Sequence, residues 1–486
     1  MNTISKISAA CALVCAGVAT QAQATPASAF AAPDLTIYLS GASAPQNFIS
    51  GLSGQLFDGA FFTYYDNGGT PGTTTISDDG AGYRSFFGTM KTTTDIPLAL
   101  RGKNVLITDR AKGGSVWGVN AVARSEAIQT MPITAVNCPD FDAGNNRFLC
   151  NAKGIDPGLG APTGDEVIPD FGVSDVEPAL FKDPLNVEFG QTQLSIAEAA
   201  RLVAFPANSL MMGLPVTNAV GDFFISRAAY GSALTGIVTN WSALGTTAPA
   251  TSDSIVVCRR VPGSGTQAAY NWYFANFPCG ASATPATQGD TASILSGAGT
   301  SADPFLVDAT AGYLVIENAG SGDVRNCLAK ANNGGVHSWK DGAGQSYKVD
   351  FGTGGYGALG VLSVDSLGKE SGWTYRTFDG AGHLDAGLQT VTGTGLAPTK
   401  ANLVAGNYEF AVELSFQYRK TGAPNALAGM KKTFADLFIA RAGQSSFNTR
   451  NWVAGLPGTV NACGSANTTK AFRAGDTCGN YTRVCN

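Results

Sequence analysis

Apolar and polar positions along the chain fall into two kinds of run, and the two alternate. "LTIYLSG" (35–41), "KNVLITD" (103–109) and "DSIVVCRR" (253–260) are short apolar runs, which predicts strands. "PQNFISGLSGQLF" (45–57), "SVWGVNAVARSEAI" (115–128) and "TQAAYNWYFANF" (266–277) repeat apolar residues at helical spacing, and each follows one of those strands. "LSIAEAARLVA" (194–204) predicts a further helix with a capping box at Ser195 and Glu198. "AGYLVIENAG" and "ALGVLSVD" predict later strands. Strand then helix, repeated, predicts an α/β protein whose sheets are covered by helices. Gly-, Ser-, Thr- and Asp-rich stretches at 65–82, 139–168, 280–304 and 368–404 lie between these units and read as surface insertions. The tail after Gly443 is polar, holds three cysteines, and is expected to be stapled down rather than packed as a core element.

Composition adds scale and compartment. The chain has 486 residues, 44% hydrophobic and 14% charged, enough for a large core and two or more domains. A formal charge of −5 gives no general electrostatic basis for binding nucleic acid or an anionic membrane. Any bound anion must be held by local geometry. The first residues, "MNTISKISAACALVCAGVATQAQATPASAFA", pair Lys6 with a short apolar run from Ile7 to Ala19. Small-x-small sites then end at Ala24 and Ala31, so 1–31 is expected to be a signal peptide cleaved after one of them. Val14 sits where a lipoprotein cysteine at Cys15 would need a small residue. No later run approaches the roughly 18 apolar residues that span a bilayer. The expected mature chain is soluble, periplasmic or secreted, and not a lipoprotein.

Export changes how the cysteines read. Eight remain beyond the leader: Cys138, Cys150, Cys258, Cys279, Cys327, Cys463, Cys478 and Cys485. An even count in an oxidising compartment predicts disulfides, and local pairs are expected: Cys138–Cys150, Cys258–Cys279 and Cys463–Cys478. There is no Cys-x-x-Cys and there are only two histidines, so neither a metal site nor a cofactor is expected. His337 and His383 lie in glycine-rich sequence and are expected to be solvated. No P-loop and no Gly-x-Ser-x-Gly elbow occur, so no catalytic residues are assigned and a non-enzyme is expected.

Three places share a strand, a small turn with a hydroxyl, and then a helix: "SGASAPQNF" with Ser43, "KGGSVWGVNAV" with Ser115, and "VPGSGTQAAY" with Ser264 and Thr266. The first N–H groups of a helix lack partners and the dipole is positive there, so an anion fits. Ordinary N-capping explains any one of these sites alone. Arg259 and Arg260 shift the balance at the third, because a guanidinium can hold two oxygens of an oxyanion at once. Strand alternation predicts that only one of the pair faces the turn. In "DFGVSDVEPALF" (170–181), Asp175 suits an anion that still carries a proton, since a carboxylate only accepts hydrogen bonds. A capping or turn aspartate is the alternative.

Four segments in order, "SGASAPQ", "FGVSDVEP", "SRAAYGSALTGIVTNWSAL" and "RRVPGSGTQ", resemble the periplasmic phosphate-binding proteins (PstS-like) and their secreted DING relatives. The resemblance implies a two-lobed α/β fold of the type II periplasmic-binding-protein class with a ligand cleft. It implies lobe I from 32–205, lobe II from 206–357, and a return to lobe I with the cysteine-rich tail over 358–486. The crossings would run through "LVAFPANSLMMGLPV" and "GALGVLSVD". The implied phosphate ligands are Ser43, Ala44, Ser115, Asp175, Arg260, Ser264, Gly265 and Thr266. Pro262 departs from the family, where a polar residue often orients the arginine. The implied function is extracytoplasmic binding of inorganic phosphate, with an ABC transporter permease as partner. A DING-like phosphatase or phosphate-scavenging role, and an extracellular interaction protein on the same fold, are the alternatives.

Overall fold

A computed structural model describes residues 27–67, 82–155, 161–280, 294–341, 343–385, 387, 390–458 and 460–485. The expected signal peptide lies almost wholly outside them. The α/β class in two lobes is as expected: one sheet of ten strands and one of seven organise the two halves.

The first sheet is built where the sequence pattern is clearest. Its centre holds β1 (Leu35–Gly41), β2 (Tyr83–Thr89), β3 (Asn104–Arg110), β4 (Phe171–Ser174), β5 (Leu202–Met211) and β9 (Ala411–Arg419), in the order β5-β9-β4-β1-β3-β2. β1 runs parallel to both β3 and β4, so three strands end at the same edge of the sheet. Helices α1 (Gln46–Leu56) and α2 (Val116–Arg124) follow β1 and β3. Gly41, at φ +134, lies so close to β4 and α2 that a Cβ there would meet the Val173 carbonyl at 1.8 Å and Gly118 Cα at 3.0 Å.

The second sheet has β6 (Ser252–Arg260) between β7 (Leu314–Asn318) and β8 (Tyr356–Gly360), all parallel. α3 (Gly265–Ala275) follows β6 and α4 (Ser321–Asn333) follows β7. The chain leaves the first sheet after Met211 and enters the second at Pro215–Thr217. It returns only after Val391–Gly393, because Trp373–Arg376, Gly382–Leu384 and Val391–Gly393 extend the second sheet. The expected boundary at 357 and the crossing at "GALGVLSVD" therefore move: residues 358–393 carry strands that pair antiparallel beyond Pro215–Thr217. The expected helix over 194–204 is a single turn, Ile196–Ala199, with its capping box in place. The rest, from Leu202, is drawn into β5 by a nine-partner antiparallel ladder with β9.

All eight cysteines among the described residues are paired, and the pairing is less local than expected. Cys138–Cys150 is present as read. Cys258 instead bonds Cys327 on α4, Cys279 bonds Cys478, and Cys463 bonds Cys485. The expected Cys258–Cys279 bond does not form. Cys258 lies inside β6 and bonds α4, whereas Cys279 lies past the end of α3 and bonds the C-terminal tail, so the two find partners on different elements. The Cys279–Cys478 bond matters most to shape. The tail that carries Cys478 clasps the first lobe: the Thr477 N–H donates to Glu177 Oε1 at 2.8 Å and its hydroxyl donates to Oε2, and the Gly475 N–H donates to Glu413. One disulfide thus ties the far end of α3, in the second lobe, to a strap on the first. Replacing both Cys279 and Cys478 by serine is expected to lower the melting temperature, because the bond closes a loop of 199 residues. Chain entropy puts the loss at up to about 5 kcal/mol. An unchanged melting curve would show that the strap carries no stability.

His337 is not solvated. Val336–Lys340 is a strand whose alternate residues are buried, and this puts His337 on the packed side, stacked on Trp339. Its Nε2 lies 2.9 Å from Asn318 Oδ1, and burial pushes its pKa down to about 4. His383 is partly exposed, with Nδ1 2.8 Å from Asp222 Oδ2.

Candidate functional site

The edge where β1, β3 and β4 end supplies Ser43, Ser115 and Asp175. The matching edge of the second lobe, where β6 and β7 end with Arg260 opposite Asn318, supplies Ser264, Gly265, Thr266 and Ser321. The two edges touch. The Val116 N–H donates to the Gly263 carbonyl at 3.0 Å across the lobes. A Cβ on Gly265 would lie 2.2 Å from Ser115 Oγ, and Gly114, at φ +90, passes so close to Ser264 Cα that a Cβ would come within 3.1 Å. Small residues are what let the lobes approach this closely.

Arg260 is the centre of the cluster and is only 1% exposed. Its Nη1 donates to Ser43 Oγ and to Ser321 Oγ, each at 3.1 Å. Nη2 donates to the Ala319 carbonyl at 2.7 Å, and Nε to the Asn318 carbonyl at 3.3 Å. These two carbonyls orient the guanidinium in a chain that has Pro262 next to the turn. Among the described residues no carboxylate reaches it as an ion pair, so a buried cation is held by neutral oxygens alone. Burial pulls its pKa below the usual value, against the opposing pull of Asp175, Asp323 and Glu188. Arg259 goes elsewhere, as the strand alternation predicted. Its guanidinium pairs with Glu317, its register partner on β7.

Asp175 faces Arg260 from the other lobe and is 1% exposed. Its Oδ2 accepts from Thr266 Oγ1 at 2.7 Å, and its N–H donates to Ser115 Oγ at 3.2 Å. Oδ1 is buried with no hydrogen-bond partner among the described residues. Burial pushes the carboxyl up to about 6, opposed by the Thr266 hydroxyl and Arg260. Ser264 caps α3, accepting from the Gln267 N–H at 3.3 Å. Ala44 is buried in the core beside Ser43.

Ser321 and Asn318 were not singled out in the sequence, although the signal was there. "LVIENAGSGDV" repeats the strand, small turn and helix of the other three places, and its Gly-Ser-Gly matches the one after Arg260. A cavity of about 440 Å³ opens between the lobes beside this cluster. Of the expected ligands, Ser43 lines it, together with Ser321. No group of three or more His, Cys, Asp or Glu among the described residues could hold a metal ion. No helix among them is long and apolar enough to cross a membrane.

The buried carboxylates set a pH dependence. Burial raises Asp109 to about 7, Asp175 to about 6 and Glu177 to about 7. These three carboxyls outweigh His337, whose lowered pKa acts the other way, so the folded protein holds more protons than the unfolded chain between about pH 4 and 7 and stability falls as pH rises through that window. Asp175 alone accounts for about 3 kcal/mol. The ligand-free protein is expected to melt at a higher temperature at pH 5 than at pH 7.5. The opposite slope would place these carboxylates in contact with water or cations.

No family model and no curated protein matches the chain. Solved structures do. A putative phosphate ABC transporter substrate-binding protein with bound phosphate from Clostridium perfringens is 12% identical, covering 86% of this chain and 98% of its own, at a TM-score of 0.42. A high affinity periplasmic phosphate-binding protein (PfluDING), bound with phosphate, is 14% identical over 87% of this chain and 91% of its own, at 0.39. An ABC-type phosphate transport receptor from Vibrio cholerae is 12% identical over 83% and 93%, at 0.36. The solved structures to which the chain is similar here are phosphate-binding proteins.

Proposed function

We propose that this protein captures inorganic phosphate in the cleft between its lobes, outside the cytoplasm, for delivery to an ABC importer. The observation that carries the reading is Arg260: a guanidinium withdrawn from water, with no carboxylate partner among the described residues, ringed by hydroxyls from both lobes. A buried cation with no carboxylate in ion-pair contact is costly, and a tetrahedral oxyanion supplies a charge in direct contact together with acceptors for the surrounding donors. In this reading Arg260 clamps the anion. Ser43, Ser115, Ser264, Thr266 and the N–H groups of Ala44 and Gly265 donate to it, and Ser321 steadies the clamp. Asp175 Oδ1, which has no donor, accepts the proton that phosphate keeps near neutral pH. The lobes already touch at this site, so in this reading the ligand enters when they hinge apart and holds them closed once bound.

Ligand that binds the folded state alone stabilises it by RT ln(1 + [L]/Kd). Protein stripped of phosphate by unfolding and refolding is expected to melt higher on adding millimolar phosphate, and not on adding chloride at equal ionic strength. A melting temperature that phosphate leaves unchanged would overturn the reading.

A further inference from the structure

The cavity beside the cluster is larger than phosphate requires. At about 30 Å³ for each water it has room for about 15, whereas phosphate brings five heavy atoms. Its 440 Å³ falls in the range of small-molecule sites, about 300–1,000 Å³. It is also continuous with the proposed phosphate contacts, since Ser43 and Ser321, the two hydroxyls held by Arg260 Nη1, form part of its wall. A phosphoryl group at Arg260 would therefore border the cavity.

The wall is polar in a particular way. Gln46 and Asn47 come from the first turn of α1, Arg84 from β2, and Asp365 from beyond β8. Asp365 Oδ1 accepts from Ser363 Oγ at 2.6 Å, and Oδ2 accepts from Asn47 Nδ2 at 3.4 Å. Arg84 Nη1 donates to Asn47 Oδ1 at 3.0 Å. Gln46 is 7% exposed, and its Nε2 is buried with no hydrogen-bond partner among the described residues. Carboxylate acceptors set among amide and guanidinium donors suit groups that both donate and accept, which is what hydroxyls do.

From this juxtaposition we infer that the cleft also takes phosphate monoesters of polyols, the sugar lying in the cavity and the phosphoryl group at Arg260. The inference rests on the phosphate reading above. Binding involves no bond made or broken.

The test is calorimetric titration of the full, phosphate-stripped chain with phosphate, glucose 6-phosphate and glucose at pH 6, where about half of a phosphate monoester, whose second pKa is about 6, still carries the proton that Asp175 accepts. Glucose 6-phosphate is expected to bind within about tenfold of phosphate, and glucose alone not to bind. Asn151 lines the same cavity from a separate element, so Asn151→Trp should fill the space. That variant is expected to weaken glucose 6-phosphate by at least about tenfold while keeping phosphate. If phosphate binds the wild type but the ester is weaker than it by more than about tenfold, the inference fails and the phosphate reading stands. It fails equally if Asn151→Trp leaves both affinities intact. If neither phosphate nor ester binds, both readings fall.

Discussion

Arg260→Met is expected to lose phosphate binding by at least two orders of magnitude, whereas Arg259→Met keeps it within about threefold, by the following energetics. The two residues are adjacent on β6 and chemically identical, so only their surroundings separate them. Arg260 offers charge-assisted hydrogen bonds in a site closed to water, and truncating such a group costs about 2–5 kcal/mol. Arg259 is committed to Glu317 on the neighbouring strand. Its removal leaves a carboxylate that is mostly buried and short of its partner, which should appear as a lower melting temperature, by about 3 kcal/mol in stability. The pair of variants thus splits binding from folding. Equal losses of affinity in both would mean that neither guanidinium is the clamp.

Asp175→Asn is expected to turn a phosphate-selective site into one that takes sulfate as well. The wild-type carboxylate gives Oδ2 to Thr266 and leaves Oδ1 without a donor. A protonated phosphate oxygen can fill that place. Sulfate carries no proton near neutral pH, so it would set acceptor against acceptor in a closed site, a mismatch that buried polar groups penalise severely. Asparagine can turn an N–H to the anion. The variant should lose about tenfold in phosphate affinity and bring sulfate to within about tenfold of it, an energy of about 1.5–3 kcal/mol. The wild type should follow the same path as pH falls below about 6, where Asp175 takes up a proton and becomes a donor itself. Competition titrations with sulfate at pH 5 and pH 7.5 check both statements. If sulfate competes equally at both pH values and in both proteins, Asp175 does not face the ligand.

The parts of the site that were legible in the sequence are those in which local chemistry decides. β1, β3 and β6 are short apolar runs, and each is followed by a hydroxyl in a small turn and then a helix. Period-two alternation was enough to send Arg259 and Arg260 to different partners. Ser321 went unnoticed because no charged residue flags its turn, although the turn repeats the Gly-Ser-Gly pattern. What was not legible depends on residues far apart in the chain. Cys279 and Cys478 are 199 positions apart, and no spacing rule connects them. Residues 202–204 carry a helical pattern that a nine-partner ladder with β9 overrides. Residues 373–393 lie in a Gly-rich stretch that reads as loop, yet their backbone completes the second sheet. His337 is in glycine-rich sequence too, and only the alternation of one five-residue strand hides it.

The central claim is that one tetrahedral oxyanion is held at Arg260 between the lobes. Isothermal titration of the stripped protein with phosphate at pH 7.5 tests it most directly, with Arg260→Met run alongside. The account predicts saturable binding of one phosphate per chain in the wild type, and no saturation over the same range in the variant. A flat wild-type titration, or identical isotherms for the two proteins, would contradict it.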